Sequence, residues 1–143
     1  MIVLEGTVQA GSGHWNPRLT EHQHIFEKAT GETLFPGTVN VNVGRIVQIR
    51  EHFRVYGHEV GHSEDFLFEI CRINGIWAYR VRPLDAKGGG GAGDNVLEIT
   101  CRKRLSGVQT GARVKVELLR NGSLLDSGDP LLPSTLRGPV PHP

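Results

Sequence analysis

The sequence predicts a mainly β fold, a small antiparallel barrel of about six strands with one helix. Three observations lead there. Short segments alternate apolar and polar residues at the period of a strand. Glycine is abundant, 19 of 143 residues, and falls between those segments. Helical patterning occurs once.

Ile2 to Gln9 reads as the first strand, and Ala10 to Pro17 as a glycine-rich loop. A helix is expected from Glu21 to Ala29, with Thr20 as N-cap, Gln23 at the capping-box position and Gly31 as the stop. Ile25, Phe26 and Ala29 give it a narrow apolar stripe. Pro36-Gly37 turns the chain into a strand at Thr38–Val43, and Ile46 to Tyr56 supplies further extended residues. Phe66–Ile73 and Ile76–Val81 flank Asn74-Gly75, the strongest short hairpin signal, because both residues accept positive φ. Lys87 to Asp94 is a glycine loop. In Val96–Cys101, Leu97, Ile99 and Cys101 share one face and Glu98 takes the other. Arg113 to Leu119 is the last strand. Residues 1–120 make one expected domain, and 121–143 a Gly/Pro-rich tail outside the core.

Composition narrows the function classes. A formal charge of +1 gives no global basic field for nucleic acid. No run approaches the ~20 apolar residues of a membrane helix. Met1 to Glu5 lacks the basic region of a secretory leader, and Cys71 and Cys101 read as buried reduced thiols. A cytoplasmic protein that does not engage membrane is expected.

Thr38-Val39-Asn40-Val41-Asn42-Val43 is the most informative segment. Alternation puts Val39, Val41 and Val43 on one face and Thr38 with Asn40 on the other, roughly 7 Å apart along the strand. A hydroxyl and a carboxamide so placed offer neutral oxygens, the donors that Mg²⁺ takes alongside water and phosphate. Gly11-Ser12-Gly13 follows a strand and can present backbone N–H groups to an anion. It is neither a Walker loop nor a Rossmann fingerprint.

Taken together, the strand ending in Gly-x-Gly, the helix, Phe35-Pro36-Gly37-Thr38-Val39-Asn40-Val41, then Val96-Leu97-Glu98-Ile99 and Gly111-Ala112-Arg113-Val114-Lys115-Val116 resemble the archaeal-type CTP-dependent riboflavin kinases. The resemblance runs from about Leu4 to Leu118. It implies a riboflavin-kinase-like, cradle-loop barrel that transfers the γ-phosphoryl group of CTP to riboflavin with Mg²⁺, giving FMN and CDP. It implies Thr38 and Asn40 as metal ligands. Gly11, Ser12, Gly13, His14 and Trp15 become the nucleotide loop, and Lys103, Arg104, Leu105 and Ser106 a second nucleotide contact. Glu98 becomes the acidic flavin-site residue that accepts a hydrogen bond from the acceptor hydroxyl or takes its proton. Trp15 can stack on a base or close the barrel mouth. Where the family carries a flavin-binding Thr, this chain has Leu84-Asp85-Ala86-Lys87 and glycines. A similar small alcohol is therefore an alternative acceptor, and a nucleotide- or flavin-binding barrel without turnover an alternative function.

One other motif bears on function. His58-Glu59-Val60-Gly61-His62 fits H-E-x-x-H, the pattern of a zinc hydrolase when it lies on a helix. Its flanks read as strands and Gly61 lies inside it, so a polar loop is expected there.

Overall fold

Alternation along each strand builds a wall with two apolar faces. The computed structural model describes residues 1–11, 15–84 and 95–120. The strands are β1 (Ile2–Gln9), β2 (Val39–Asn42), β3 (Phe53–Val55), β4 (Phe66–Ile73), β5 (Ile76–Pro83), β6 (Val96–Thr100) and β7 (Arg113–Leu118), with helices α1 (Trp15–Glu21) and α2 (Gln23–Thr30) between β1 and β2. Every pairing is antiparallel. The ring runs β4-β5-β6-β2-β1-β7 and closes where β7 meets β4. This is the expected six-stranded barrel, and β3 is an additional strand. β7 pairs with Cys71–Ile73 of β4, and β3 takes the Phe66–Phe68 half of the same strand.

Leu4, Val8, Val41, Leu97, Ile99, Cys71, Ala78, Val114, Val116 and Leu118 fill the barrel. Phe66, Phe68, Ile70, Tyr79 and Val81 face outward from β4 and β5, where Leu19, Phe26 and Leu34 cover them. The outer faces of those two strands are apolar because the helices roof them. Leu19 and Phe26 are fully buried, worth about 1.5–3 kcal/mol each by area. Asn74 (φ 48°) and Gly75 (φ 81°) make the expected tight hairpin between β4 and β5.

The helical segment differs from the expected Glu21–Ala29. Two short helices replace one, and Thr20 lies inside α1. Pro17 has the fixed φ that suits a first helical turn, so α1 begins within the segment that reads as loop. His22 precedes α2 without a side-chain cap. Gln23 makes no capping box; its Nε2 donates to the Leu34 carbonyl at 2.8 Å and its Oε1 accepts the Leu34 N–H at 2.8 Å. Gly31 does end α2, left-handed at φ 77°, with its N–H on the Glu27 carbonyl.

The expected extended stretch from Ile46 to Tyr56 pairs only at its end, with β3. The reason lies in a buried ion cluster. Glu69 is 0% and Arg80 1% exposed. Arg120 donates to Glu69 Oε2 at 2.9 Å and Oε1 at 3.1 Å, and Arg80 Nη1 lies 3.6 Å from Oε1. The carbonyls of Val47 and Gln48 accept from Arg80 and Arg120, and the Arg50 N–H donates to Glu69. The backbone of 47–50 therefore bonds to charged side chains in place of a ladder. Strand pairing resumes at His52, whose N–H donates to the Phe68 carbonyl. The expected glycine loop (Lys87–Asp94) and tail (121–143) lie outside the described residues.

Candidate functional site

The site is built where β2 lies between β1 and β6. Val39 and Val41 pair with Ile99 and Leu97, and these side chains pack into the barrel interior. The alternation sends Asn40 and its direct partner Glu98 to the outer face. Thr38, just before β2, shares that face, and its Oγ1 stands 3.5 Å from Glu98 Oε2. Hydroxyl, carboxamide and carboxylate thus meet on one patch.

The end of β1 reaches the same patch. Gln9 pairs with Asn40. Two residues on, Gly11 lies so close to the Asn40 carboxamide that a Cβ there would sit 2.1 Å from Nδ2 and 3.7 Å from Oδ1. The amide nitrogen faces the glycine and the oxygen is turned away from it. Asn40 is only 7% exposed, so its orientation is held by packing.

The approach to Thr38 is fastened at several points. Gln23 holds both backbone groups of Leu34, the Phe35 N–H donates to the Cys101 carbonyl at 2.8 Å, and Tyr79 Oη donates to Glu32 Oε2 at 2.6 Å. A polar side chain on so fixed a segment loses little entropy on meeting a ligand.

Arg18 is a charged neighbour that the sequence motifs do not announce. Its guanidinium carbon lies 4.8 Å above the Phe66 ring centroid. Burial lowers its pKa, and the Glu98 carboxylate opposes that shift. Arg18 falls one residue beyond the segment that reads as loop. The signal was Pro17: a proline compatible with a first turn, followed by Arg18-Leu19, places Arg18 on a helix that returns to the barrel wall.

Thr38, Asn40, Glu98 and Gly11 are brought together. Lys103, Arg104, Leu105 and Ser106 form the turn after β6, where Cys101 Sγ meets the Lys103 carbonyl at 2.8 Å. They line a cleft of ≈ 360 Å³ with Ile73, Asn74, Ile76 and Val108. Arg104 and Leu105 also border a cleft of ≈ 320 Å³ with Val39. The turn thus neighbours β2 through Val39. Ser12, Gly13, His14 and the Trp15 side chain lie outside the described residues.

His58-Glu59-Val60-Gly61-His62 forms no α-helix. Gly57–Glu59 is a single 3-10 turn, Val60 is buried, and Gly61 is left-handed at φ 70°. His62 Nδ1 accepts the Glu64 N–H at 3.0 Å, and its ring centroid lies 4.8 Å from that of Phe66. The helical presentation a zinc hydrolase needs is not formed. Among the described residues, no group of three or more His, Cys, Asp or Glu side chains is placed to hold a metal ion.

A hard cation that also binds phosphate asks for less. Mg²⁺ is held by one or two protein oxygens, completed by water and phosphate. Thr38 Oγ1, Asn40 Oδ1 and Glu98 supply oxygens of that kind. The donor set fits.

Compared with known proteins, the chain matches no protein-family model and no curated sequence. Among the described residues, no helix is long and apolar enough to cross a membrane.

Proposed function

We propose that this protein is a Mg²⁺-dependent phosphotransferase that moves the γ-phosphoryl group of CTP to riboflavin, or to a similar small alcohol, giving FMN and CDP in the first case. The observation that supports this is the meeting of Thr38, Asn40 and Glu98 on one outer face with Gly11 packed against them. These residues, distant in sequence, are those to which the kinase resemblance gives metal, acceptor and nucleotide roles.

Thr38 and Asn40 would hold the metal, whose chemistry is to neutralise charge on the phosphate oxygens. Glu98 orients the acceptor hydroxyl and takes its proton. The freed oxygen attacks the γ-phosphorus in line, the bond from that phosphorus to the bridging oxygen breaks, and CDP leaves with the electron pair. Positioning carries most of the rate in such transfers. The fixed Gly31–Thr38 segment and the buried Asn40 provide it.

The test is incubation of the purified protein with riboflavin, Mg²⁺ and either CTP or ATP, with FMN and CDP read by chromatography. FMN formation with CTP is expected. Glu98→Gln keeps shape and removes charge. It should lower turnover ~10²–10⁴-fold and leave Mg²⁺–CTP affinity within a few-fold of the parent. Binding of Mg²⁺–CTP without transfer to riboflavin or any small alcohol would instead establish a binding barrel. Absence of both binding and transfer would refute the proposal.

A further inference from the structure

We propose that Gln9 is a further substrate-binding residue of this site: from the end of β1 its side-chain amide donates to the diphosphate end of the nucleotide, on the side opposite the acceptor hydroxyl. This rests on the phosphotransferase reading and adds a residue and a role to it.

The first argument is placement. Val8 packs into the barrel, so alternation turns Gln9 to the outer face. Gln9 is the direct partner of Asn40, and Asn40 is the direct partner of Glu98. Direct partners in an antiparallel pair share a face. Gln9, Asn40 and Glu98 therefore stand in one row across β1, β2 and β6, with neighbouring strands ~4.8 Å apart. Gln9 is exposed at the end of that row.

The second argument is the polarity of the amide. The Gly44 N–H donates to Asn42 Oδ1 at 2.9 Å. A backbone N–H only donates, so the atom it meets is the carboxamide oxygen, and Asn42 Nδ2 takes the other corner. That nitrogen donates to Gln9 Oε1 at 3.3 Å. The Gln9 oxygen is thus engaged by β2, and Nε2 is the end left to donate. Among the described residues nothing accepts from it. An amide oriented in this way suits an acceptor oxygen, and a phosphate group presents several.

The third argument is the direction of the reaction. In-line transfer sets the attacking and leaving oxygens on opposite sides of the transferred phosphorus. In the phosphotransferase reading the acceptor hydroxyl lies at Glu98, and the metal-held phosphoryl group lies at Asn40. The leaving diphosphate then falls on the β1 side of the row, where Gln9 stands. Gly11, two residues further along the chain, meets the Asn40 carboxamide from the same strand end. A fixed donor there stabilises the charge that gathers on the leaving group.

The experiment is calorimetric titration of the parent, Gln9→Leu and Gln9→Glu with CMP, CDP and CTP in Mg²⁺. Gln9→Leu removes the amide. Gln9→Glu keeps the shape and an oxygen for Asn42, and replaces the donor by a negative charge. The reading is the affinity ratio of CDP to CMP, which cancels any general loss of folded protein. Gln9→Leu should lower it about 10–100-fold, the size of one lost hydrogen bond to a charged group, with CMP affinity nearly unchanged. Gln9→Glu should lower it further, because like charges then meet. An unchanged ratio in Gln9→Leu would overturn the role of Gln9 and leave the phosphotransferase reading standing. Equal losses for CMP and CDP would do the same, since Gln9 would then only support the site. A Gln9→Glu ratio at or above that of the parent would show that no anion meets the side chain, and would also overturn the role. So would a parent that binds CTP but not CDP. A parent that binds none of the three would overturn both.

Discussion

Replacing Gly11 by alanine isolates one side chain of the site. Its backbone does not occupy the left-handed region, so alanine meets no conformational barrier there. The added methyl meets the end of one side chain, with Asn40 Nδ2 at 2.1 Å as the nearest atom. Ordinary contact lies near 3.5 Å, so the carboxamide must retreat by about 1.4 Å or turn. Overpacking of this kind costs about 1–3 kcal/mol, which leaves a domain of this size folded. A misplacement of ~1 Å in a positioning group costs on the order of 10²-fold in rate. Gly11→Ala should therefore keep a cooperative unfolding transition while Mg²⁺–CTP affinity and turnover fall, turnover by about 10²-fold. Thermal unfolding, calorimetry with Mg²⁺–CTP and the FMN assay on one preparation give all three numbers. A folded Gly11→Ala protein with parental nucleotide affinity and turnover would rule out a role for Asn40, because its displacement would then not matter.

Two further outcomes concern the scaffold. Glu69→Ala leaves Arg80, 1% exposed, and Arg120 without their shared carboxylate. Breaking a buried pair from one side costs about 3–5 kcal/mol, to be read as a lowered midpoint in chemical denaturation; a loss under about 1 kcal/mol would mean that water already solvates the cluster. His52 Nδ1 accepts the Ile70 N–H at 2.9 Å, and burial holds the imidazole's pKa below its usual value. Because the folded pKa is the lower one, this contribution is complete above the unfolded value of ~6.5 and is lost as pH falls through the folded value. The urea midpoint should drop between pH 7 and pH 5. His52→Asn, which offers a non-titrating acceptor, should flatten that drop, and parallel pH profiles would disprove the assignment.

Much of this architecture is legible in the chain because it depends on local periodicity. Val39-x-Val41 and Leu97-x-Ile99 announce a strand with one apolar face, and Asn74-Gly75 announces its turn; no distant residue alters either signal. The same alternation places Thr38, Asn40 and Glu98 away from the core. The helical segment was less legible because its strongest signals have two uses. Gln23 suits a capping box by spacing, yet it finds better partners in the backbone of Leu34.

Which residues turn outward is written in the chain alone, since the side-chain period of a strand is fixed by covalent geometry. Which outward residues meet is settled by the closed fold. The register that sets Asn40 opposite Glu98, the passage of β1 that brings Gly11 onto Asn40, and the return of α1 that lays Arg18 over Phe66 are long-range contacts. They arise from barrel closure and from burial of Leu19 and Phe26, and no local pattern encodes them. The bond of Glu69 to Arg80 and Arg120 is of the same kind, for each charge is buried only because the closed wall brings its partners with it.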